Sequence, residues 1–229
     1  MDFKSKIILI YGPTASGKSK FAVKLAKKIS GQIINADSMQ VYDKLNGLTN
    51  VPQPNNLIKH SCNLFGYVKY PRKCNVGFWA NSVNKLLSRS KHYVPIFVGG
   101  TGLYLESLFG NISPIPQIPQ KVKNKVDKLF VRLGIEFFYK KLQKIDFSYS
   151  EKISKNDTQR IIRAITVKIG TGRNMTYWHK KISNKIFKKI VYVVIFEDRE
   201  ILYNNINSRC LKMLKSNVVT EVANFLKEK

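Results

Sequence analysis

The sequence is poor in acidic side chains, in cysteine and in long apolar runs. Its 229 residues include 40 Lys and Arg but only 14 Asp and Glu, together with three cysteines. Cys62, Cys74 and Cys210 are widely separated and have no metal-ligand spacing, so they indicate neither a disulfide framework nor a zinc site. We therefore expect a reducing compartment, the cytoplasm.

No apolar segment is long enough to cross a bilayer, so no membrane association is expected. The apolar run at residues 7–11 leads directly into a glycine-containing loop, which is typical of a buried strand and not of a signal sequence. The length of the chain allows one α/β domain and a smaller inserted unit.

The shortage of acidic residues leaves a formal charge of +26, and the basic residues are spread along the whole chain. Such a charge attracts nucleic acids, because cationic side chains neutralise phosphates and release counterions. A biased genome composition, with lysines merely solvating the surface, would give the same excess. The charge by itself therefore indicates polyanionic partners without selecting one.

A loop rich in small residues is the most informative motif of the chain. Residues 12–19 read Gly-Pro-Thr-Ala-Ser-Gly-Lys-Ser, between an apolar run predicted as a strand and the helical pattern of residues 18–29. In such a loop, backbone N–H groups surround an anion, Lys18 adds a point charge and the Ser19 hydroxyl can hold Mg²⁺. The motif predicts a di- or triphosphate site.

The remaining pattern predicts a P-loop NTPase-like α/β fold, with a parallel sheet flanked by helices and a small helical insertion. Further strands are expected at 32–35, 94–98 and 189–196, and helices at 77–90, 121–134, 136–144, 156–168 and from Asp198 onward. A proline-rich connector at 112–119 marks a boundary. We predict a P-loop core at 1–112, a helical insertion at 113–183, and a return strand and helix of the core at 184–229.

Three side chains outside the loop are candidates for chemistry. Because parallel strands end at one edge of a sheet, Asp37 and Thr101 are expected to face the same crevice as the phosphate loop. Asp37 can act as a general base or order Mg²⁺ through water, or it can form an Asx turn. Thr101 can bond a leaving oxygen or cap a helix. Arg209 can reach a pyrophosphate or remain a surface arginine.

Four ordered motifs resemble the bacterial tRNA dimethylallyltransferases, also called tRNA isopentenyltransferases. They lie at residues 12–19, 35–42, 99–105 and 156–164, and the similarity continues to residue 214. The resemblance implies transfer of a dimethylallyl group from its diphosphate to N6 of the adenosine on the 3′ side of the tRNA anticodon, with release of diphosphate. It implies a prenyltransferase with Mg²⁺ as cofactor, and we expect a monomer.

The resemblance also implies roles for individual residues. Asp37 takes the proton of the amine, Thr101 bonds the bridging oxygen, Arg209 stabilises the leaving group, and Ser19 holds the metal. The diphosphate-binding residues are Gly12, Pro13, Thr14, Ala15, Ser16, Gly17, Lys18 and Ser19. The tRNA-binding positions are Asp37, Ser38, Met39, Gln40, Thr101, Lys123, Gln159, Arg160, Ile161, Ile162 and Arg163.

The chain departs from the family pattern in two places. Val51 stands where the family more often has a basic residue, and family members continue beyond the position of Lys229 with further helices, which this sequence is expected to lack. Two other interpretations stay open. One is a P-loop kinase of a small molecule or nucleoside, with ATP in the loop, and the other is a tRNA-binding chain without transferase activity.

Overall fold

A computed structural model describes residues 6–52, 55–56, 61–89, 93–110, 113–181 and 189–228. The chain divides into two units, of which the first is Met1–Phe109 with Lys185–Lys229 and the second is Gly110–Asn184. The second unit is thus inserted between two stretches of the first. The boundaries predicted at residues 112, 183 and 184 lie outside the described residues.

The first unit is built on a sheet of five parallel strands. In chain order the strands are β1 (Lys6–Tyr11), β2 (Gly31–Asn35), β3 (Cys62–Asn63), β4 (Val94–Val98) and β5 (Lys189–Val194). Their order across the sheet is β3-β2-β4-β1-β5, and every neighbouring pair is parallel. The predicted fold class is confirmed, and β5 pairs with β1 as its apolar sequence indicated.

The described helices flank this sheet or form the second unit. In chain order they are α1 (Lys18–Ile29), α2 (Asn46–Thr49), α3 (Val76–Arg89), α4 (Gly102–Leu108), α5 (Gln120–Ile145), α6 (Phe147–Ser150), α7 (Thr158–Thr171), α8 (Met175–Lys180), α9 (Arg199–Leu214) and α10 (Val218–Lys227). No described helix is long and apolar enough to span a membrane. The single helix expected after Asp198 is two helices, α9 and α10.

Both faces of the sheet are covered, as a parallel sheet with helical crossovers requires. On one face, Ile7 and Leu9 of β1 pack in a cluster that includes Trp79 of α3. On the other face, Ile10 packs in a cluster with Ala22 of α1. The alternation of side chains along β1 therefore joins two cores and fixes where its carboxyl end, and hence the phosphate loop, lies.

Helix α1 is capped at its carboxyl end by Ser30 and not by the glycine that follows it. Ser30 takes the left-handed conformation, with φ of 49°, and its N–H donates to the Ala26 carbonyl. Gly31 instead opens β2, where an added Cβ would lie 2.4 Å from Ile96 Cδ1. The glycine is needed for close packing of β2 against β4 and not for a left-handed turn.

The second unit has its own core between α5 and α7. Phe138 and Leu142 of α5 pack in one cluster with Ile161 and Ile165 of α7. Gly134 interrupts α5 with φ of 73°, which agrees with the two helices predicted at 121–134 and 136–144. The start of α7 is fixed by Asp157, whose side chain accepts the Arg160 N–H at 3.0 Å.

Candidate active site

The phosphate loop joins the buried end of β1 to the first turn of α1. Ala15 and Gly17 take left-handed backbone conformations, with φ of 63° and 85°. Lys18 Nζ donates to the carbonyls of Gly12, at 2.8 Å, and Pro13, which holds the ammonium over the loop. The first N–H groups of α1 have no acceptor within the helix and carry its positive dipole end, so this surface attracts anions.

Ser16 gives a second indication of an anion site. The residue is buried, and its Oγ has no hydrogen-bond partner in the described part of the chain. Buried hydroxyls without a partner are rare, because their desolvation costs roughly 1–3 kcal/mol. A hydroxyl in this position, beside the loop backbone, is suited to a phosphate oxygen. Ser19, predicted to hold a metal, lies exposed in the first turn of α1.

Asp37 follows β2 and is held by a buried asparagine. Asn35 accepts the Asp37 N–H at 2.9 Å and donates to the Asp37 carbonyl at 3.0 Å. Its own carbonyl accepts the indole N–H of Trp79 at 2.9 Å. Asp37 Oδ1 accepts the Met39 N–H at 2.9 Å, which is the Asx turn considered from the sequence.

The second carboxylate oxygen of Asp37 is available for chemistry. Among the described residues, Oδ2 accepts no hydrogen bond and forms no ion pair. The turn uses one oxygen to fix the side chain and leaves the other to accept a proton. The Asx turn and the general-base role therefore coexist in one carboxylate.

Thr101 is brought to the Asp37 loop from the end of β4. Its Oγ1 accepts the Ser38 N–H at 2.9 Å and lies 3.3 Å from Ser38 Oγ. Its N–H donates to the Ala36 carbonyl at 3.2 Å, and an added Cβ at Gly99 would lie 2.2 Å from that carbonyl oxygen. Thr101 precedes α4, but its side chain makes no capping hydrogen bond there. The convergence of these two strand ends agrees with the sequence-based expectation.

Charges of opposite sign meet around Lys18. Partial burial lowers the pKa of Lys18 from its ordinary value of 10.5, the Asp37 carboxylate raises this pKa, and the Arg209 guanidinium lowers it. Asp37 and Arg209 therefore each lie within electrostatic range of Lys18, although the three residues come from distant parts of the sequence. Two cations beside one carboxylate form a site that suits an anionic ligand with a protonated acceptor.

Helix α9 brings Arg209 to the loop. Asn205, one turn before Arg209 on the same face, donates from Nδ2 to the Ala15 carbonyl at 3.4 Å. Both residues line an open cavity of about 450 Å³ between α9 and the segment around α2. Its wall is polar and basic, and its lining residues are Gly47, Asn50, Asn205, Ser208, Arg209, Lys212, Met213 and Ser216.

The residues predicted to touch RNA fall in both units. In the first unit Met39 is 59% exposed, whereas Gln40 is half-buried and its amide donates to the carbonyls of Thr49 and Asn50. In the second unit Lys123 and Ile162 are half-buried, and Gln159, Arg160 and Arg163 are exposed. Ile161 is fully buried in the core of that unit, so a side-chain contact of Ile161 with RNA is ruled out by packing.

Two residues without a predicted role support the site. Asn35 is buried and holds Asp37 in place, and Asn205 contacts the phosphate loop. Asn35 could have been found as a polar residue at the end of an apolar strand, and Asn205 from its four-residue spacing to Arg209. Both lie within segments that carry the family resemblance.

The parallel sheet, the loop between β1 and α1, and the lysine over that loop define an α/β fold of the P-loop NTPase-like class. Residues 40–229 match the family described as IPP transferase, and residues 5–65 match isopentenyl transferase. The chain therefore belongs to the IPP transferase family, and the resemblance found in the sequence is confirmed.

Curated relatives from several bacteria are named tRNA dimethylallyltransferase. The protein of Pelagibacter ubique strain HTCC1062 is 46% identical over 100% of this chain and 74% of the relative. That of Rhizobium etli strain CIAT 652 is 38% identical over 96% of this chain and 75% of the relative. The chain thus spans about three quarters of the length of these relatives.

Solved structures share the fold. A eukaryotic dimethylallyltransferase studied acting on tRNA superposes with a TM-score of 0.82 at 24% identity. The superposition includes 98% of this chain and 56% of that one. A tRNA isopentenylpyrophosphate transferase from Staphylococcus epidermidis has a TM-score of 0.60 at 27% identity, over 98% of this chain and 74% of that one. The fold and the family are therefore consistent with each other.

Proposed function

We propose that this chain transfers a dimethylallyl group from dimethylallyl diphosphate to N6 of the adenosine on the 3′ side of the tRNA anticodon. The observation that carries the proposal is that Asp37 and Arg209 both lie within electrostatic range of Lys18 in a member of the IPP transferase family. The names of the relatives point to tRNA and a dimethylallyl group, and the site offers cationic groups for a diphosphate beside a carboxylate.

The reaction breaks one bond and forms another. The bond between the allylic carbon and the bridging oxygen of the diphosphate breaks, and its electrons leave with the diphosphate. The N6 lone pair forms the new bond to that carbon, and the N6 proton passes to Asp37 Oδ2. The carboxylate is suited to this task because Oδ1 is fixed by the Met39 N–H.

The cationic groups stabilise the departing diphosphate. Negative charge grows on its oxygens as the allylic carbon separates, so fixed donors bind the transition state more strongly than the ground state. Lys18, Arg209 and the N–H groups at the start of α1 supply such donors. The Thr101 hydroxyl, which donates to Ser38 Oγ, would turn to donate to the bridging oxygen, while the bond from the Ser38 N–H holds Oγ1 in place.

The residues of the loop fit a Mg²⁺ ion bound together with a diphosphate. Ser19 would hold the ion and the unpartnered hydroxyl of Ser16 would bond a phosphate oxygen. Mg²⁺ prefers oxygen ligands and keeps several waters, so one protein hydroxyl and two phosphate oxygens suffice. When bound, the ion neutralises charge on the diphosphate.

The acceptor enters as an unstacked base of a single-stranded loop. Anticodon loops make extrusion of a base inexpensive, and exposed side chains such as Met39 can contact it. The exposed Gln159, Arg160 and Arg163, with Lys123, would contact the RNA from the second unit. The formal charge of +26 then has a polyanionic partner. We propose further that the protein acts as a monomer in the cytoplasm.

A single assay separates the transferase from a P-loop kinase. Unmodified tRNA and radiolabelled dimethylallyl diphosphate are incubated with the protein, and RNA is recovered and counted. Transfer of label to RNA that stops when Asp37 is replaced by Asn supports the proposal. Label that moves instead from the γ-phosphate of ATP to a small acceptor contradicts it. The family assignment favours the first result.

A further inference from the structure

We infer that helix α10 holds α2 in place beside the Asp37 loop, where the acceptor base would bind, and that Glu221 is the positioning residue. We call this set of contacts the brace. The inference rests on the proposed function. Glu221 reaches the segment that follows Asp37 in the sequence, and it does so from the far end of the chain. Its Oε1 accepts the Gly47 N–H at 3.1 Å and its Oε2 accepts the Leu48 N–H at 3.2 Å.

The carboxylate satisfies backbone donors that α2 cannot satisfy itself. The first N–H groups of any helix lack acceptors within the helix, and a carboxylate there is favoured by the helix dipole. Helix α2 has only four residues and no side-chain cap of its own. So short a helix is held by its contacts with α10 and not by intrinsic propensity.

The absence of a side chain at Gly47 lets the Glu221 carboxylate approach the backbone of α2. An added Cβ at residue 47 would lie 2.9 Å from Glu221 Oε2 and 3.1 Å from Val218 Cγ2. A methyl group would therefore push the carboxylate off the N–H groups that it binds. In an unbraced helix the same change from glycine to alanine is stabilising, so the two situations predict opposite effects.

Gln40 connects α2 to the loop that carries Asp37. The Gln40 amide donates to the Thr49 carbonyl at 3.0 Å and to the Asn50 carbonyl at 2.9 Å, at the opposite end of α2. Gln40 directly follows Met39, whose N–H fixes Asp37 Oδ1 at 2.9 Å. Hydrogen bonds thus join Glu221 to α2 and α2 to Gln40, and the peptide bond between Gln40 and Met39 joins them to the Asp37 turn.

Two further contacts join α10 to the same segment. Lys44 Nζ pairs with Glu228 at 2.8 Å, and Phe225 packs edge-on against Tyr70 with ring centroids 5.1 Å apart. The ion pair is exposed and contributes little, so the aromatic contact and the Glu221 hydrogen bonds carry most of the brace. All of these contacts fall on residues 43–70, between the Asp37 loop and α3.

The test compares Glu221→Ala, Glu221→Gln and Gly47→Ala with Thr220→Ala, an exposed neighbour on α10. We expect Glu221→Ala and Gly47→Ala to raise the KM for tRNA roughly 5- to 20-fold, since couplings through packed contacts have this size. In Glu221→Ala the KM for dimethylallyl diphosphate should stay within about twofold, because the phosphate loop is held by β1 and α1. Glu221→Gln keeps one acceptor and should restore part of the loss, and Thr220→Ala should match the parent protein.

The double variant Gly47→Ala/Glu221→Ala should be no worse than either single change, because both remove one contact. Amide hydrogen exchange of residues 40–50 should become faster in the single variants. Equal rises of both KM values, additive effects, or unchanged exchange would overturn the inference. If the parent protein transfers no dimethylallyl group, the proposed function fails, and the exchange data alone then support or overturn the brace.

Discussion

Asn205 Nδ2 donates to the carbonyl of Ala15 at 3.4 Å, across a separation of 190 residues. This contact places helix α9 against the phosphate loop and brings Arg209, one turn later, into electrostatic range of Lys18. The return of the chain after the inserted unit therefore completes the anion site that begins at β1. The role of Arg209 depends on this contact between α9 and the phosphate loop.

Replacing Asp37 by Asn should separate the two tasks of the carboxylate. The amide oxygen can still accept the Met39 N–H, so the turn is kept, but the side chain can no longer take a proton. We expect kcat to fall by about 10²- to 10⁴-fold, the usual contribution of a general base. Gel-shift affinity for unmodified tRNA should change by less than about threefold. A kcat near that of the parent protein would exclude Asp37 as the base.

Replacing Thr101 by Val should remove both the bond from the Ser38 N–H and the donor for the leaving oxygen. Steady-state kinetics should show kcat falling by about 10²-fold, as for loss of one oxyanion donor. Thr101→Ser keeps the hydroxyl and is the matched control, with activity near that of the parent. An activity loss in Thr101→Ser but not in Thr101→Val would assign the role to the methyl group and contradict the hydrogen-bonding role.

Replacing Arg209 by Ala should weaken stabilisation of the departing diphosphate. We expect kcat/KM for the donor to fall by about 10²- to 10³-fold, with a smaller recovery in Arg209→Lys, whose point charge lacks the planar fork. The exposed Arg199 at the start of α9 provides the control, since Arg199→Ala should leave kcat/KM unchanged. Loss of activity in both variants would indicate a general charge effect.

Binding of the diphosphate donor should weaken at a lower pH than it would with a lysine of ordinary pKa. Burial lowers the pKa of Lys18 from 10.5, so the ammonium loses its proton at a lower pH. Titration of inorganic diphosphate binding should therefore show an affinity loss whose midpoint lies below pH 10.5 and which disappears in Lys18→Arg, whose charge persists. An identical alkaline loss in the arginine variant would assign it to another group.

The phosphate loop and the sheet could be predicted from the sequence because each depends on local pattern. The apolar run before Gly12 and the apolar run at residues 94–98 each lead into a glycine-containing loop, which is typical of buried parallel strands, and Gly17-Lys18-Ser19 opens a helix. The meeting of Asp37 with Thr101 also followed, since parallel strands end at one edge.

What could not be predicted depends on packing between distant segments. Ile161 stands between Arg160 and Ile162 in a motif, and only the helix packing of α5 on α7 reveals that it is buried. Ser30 rather than Gly31 caps α1, because the glycine is needed against Ile96. The contact of Glu221 with Gly47 joins residues 174 positions apart, and no local pattern signals it.

The most direct test of the proposed chemistry is mass analysis of an anticodon stem-loop RNA after incubation with dimethylallyl diphosphate, Mg²⁺ and the protein. Two RNAs are compared, one with adenosine and one with inosine on the 3′ side of the anticodon, since inosine has an oxygen in place of the N6 amine. We predict one dimethylallyl group on the adenosine RNA and none on the inosine RNA. Modification of both RNAs, or of neither, would contradict transfer to N6.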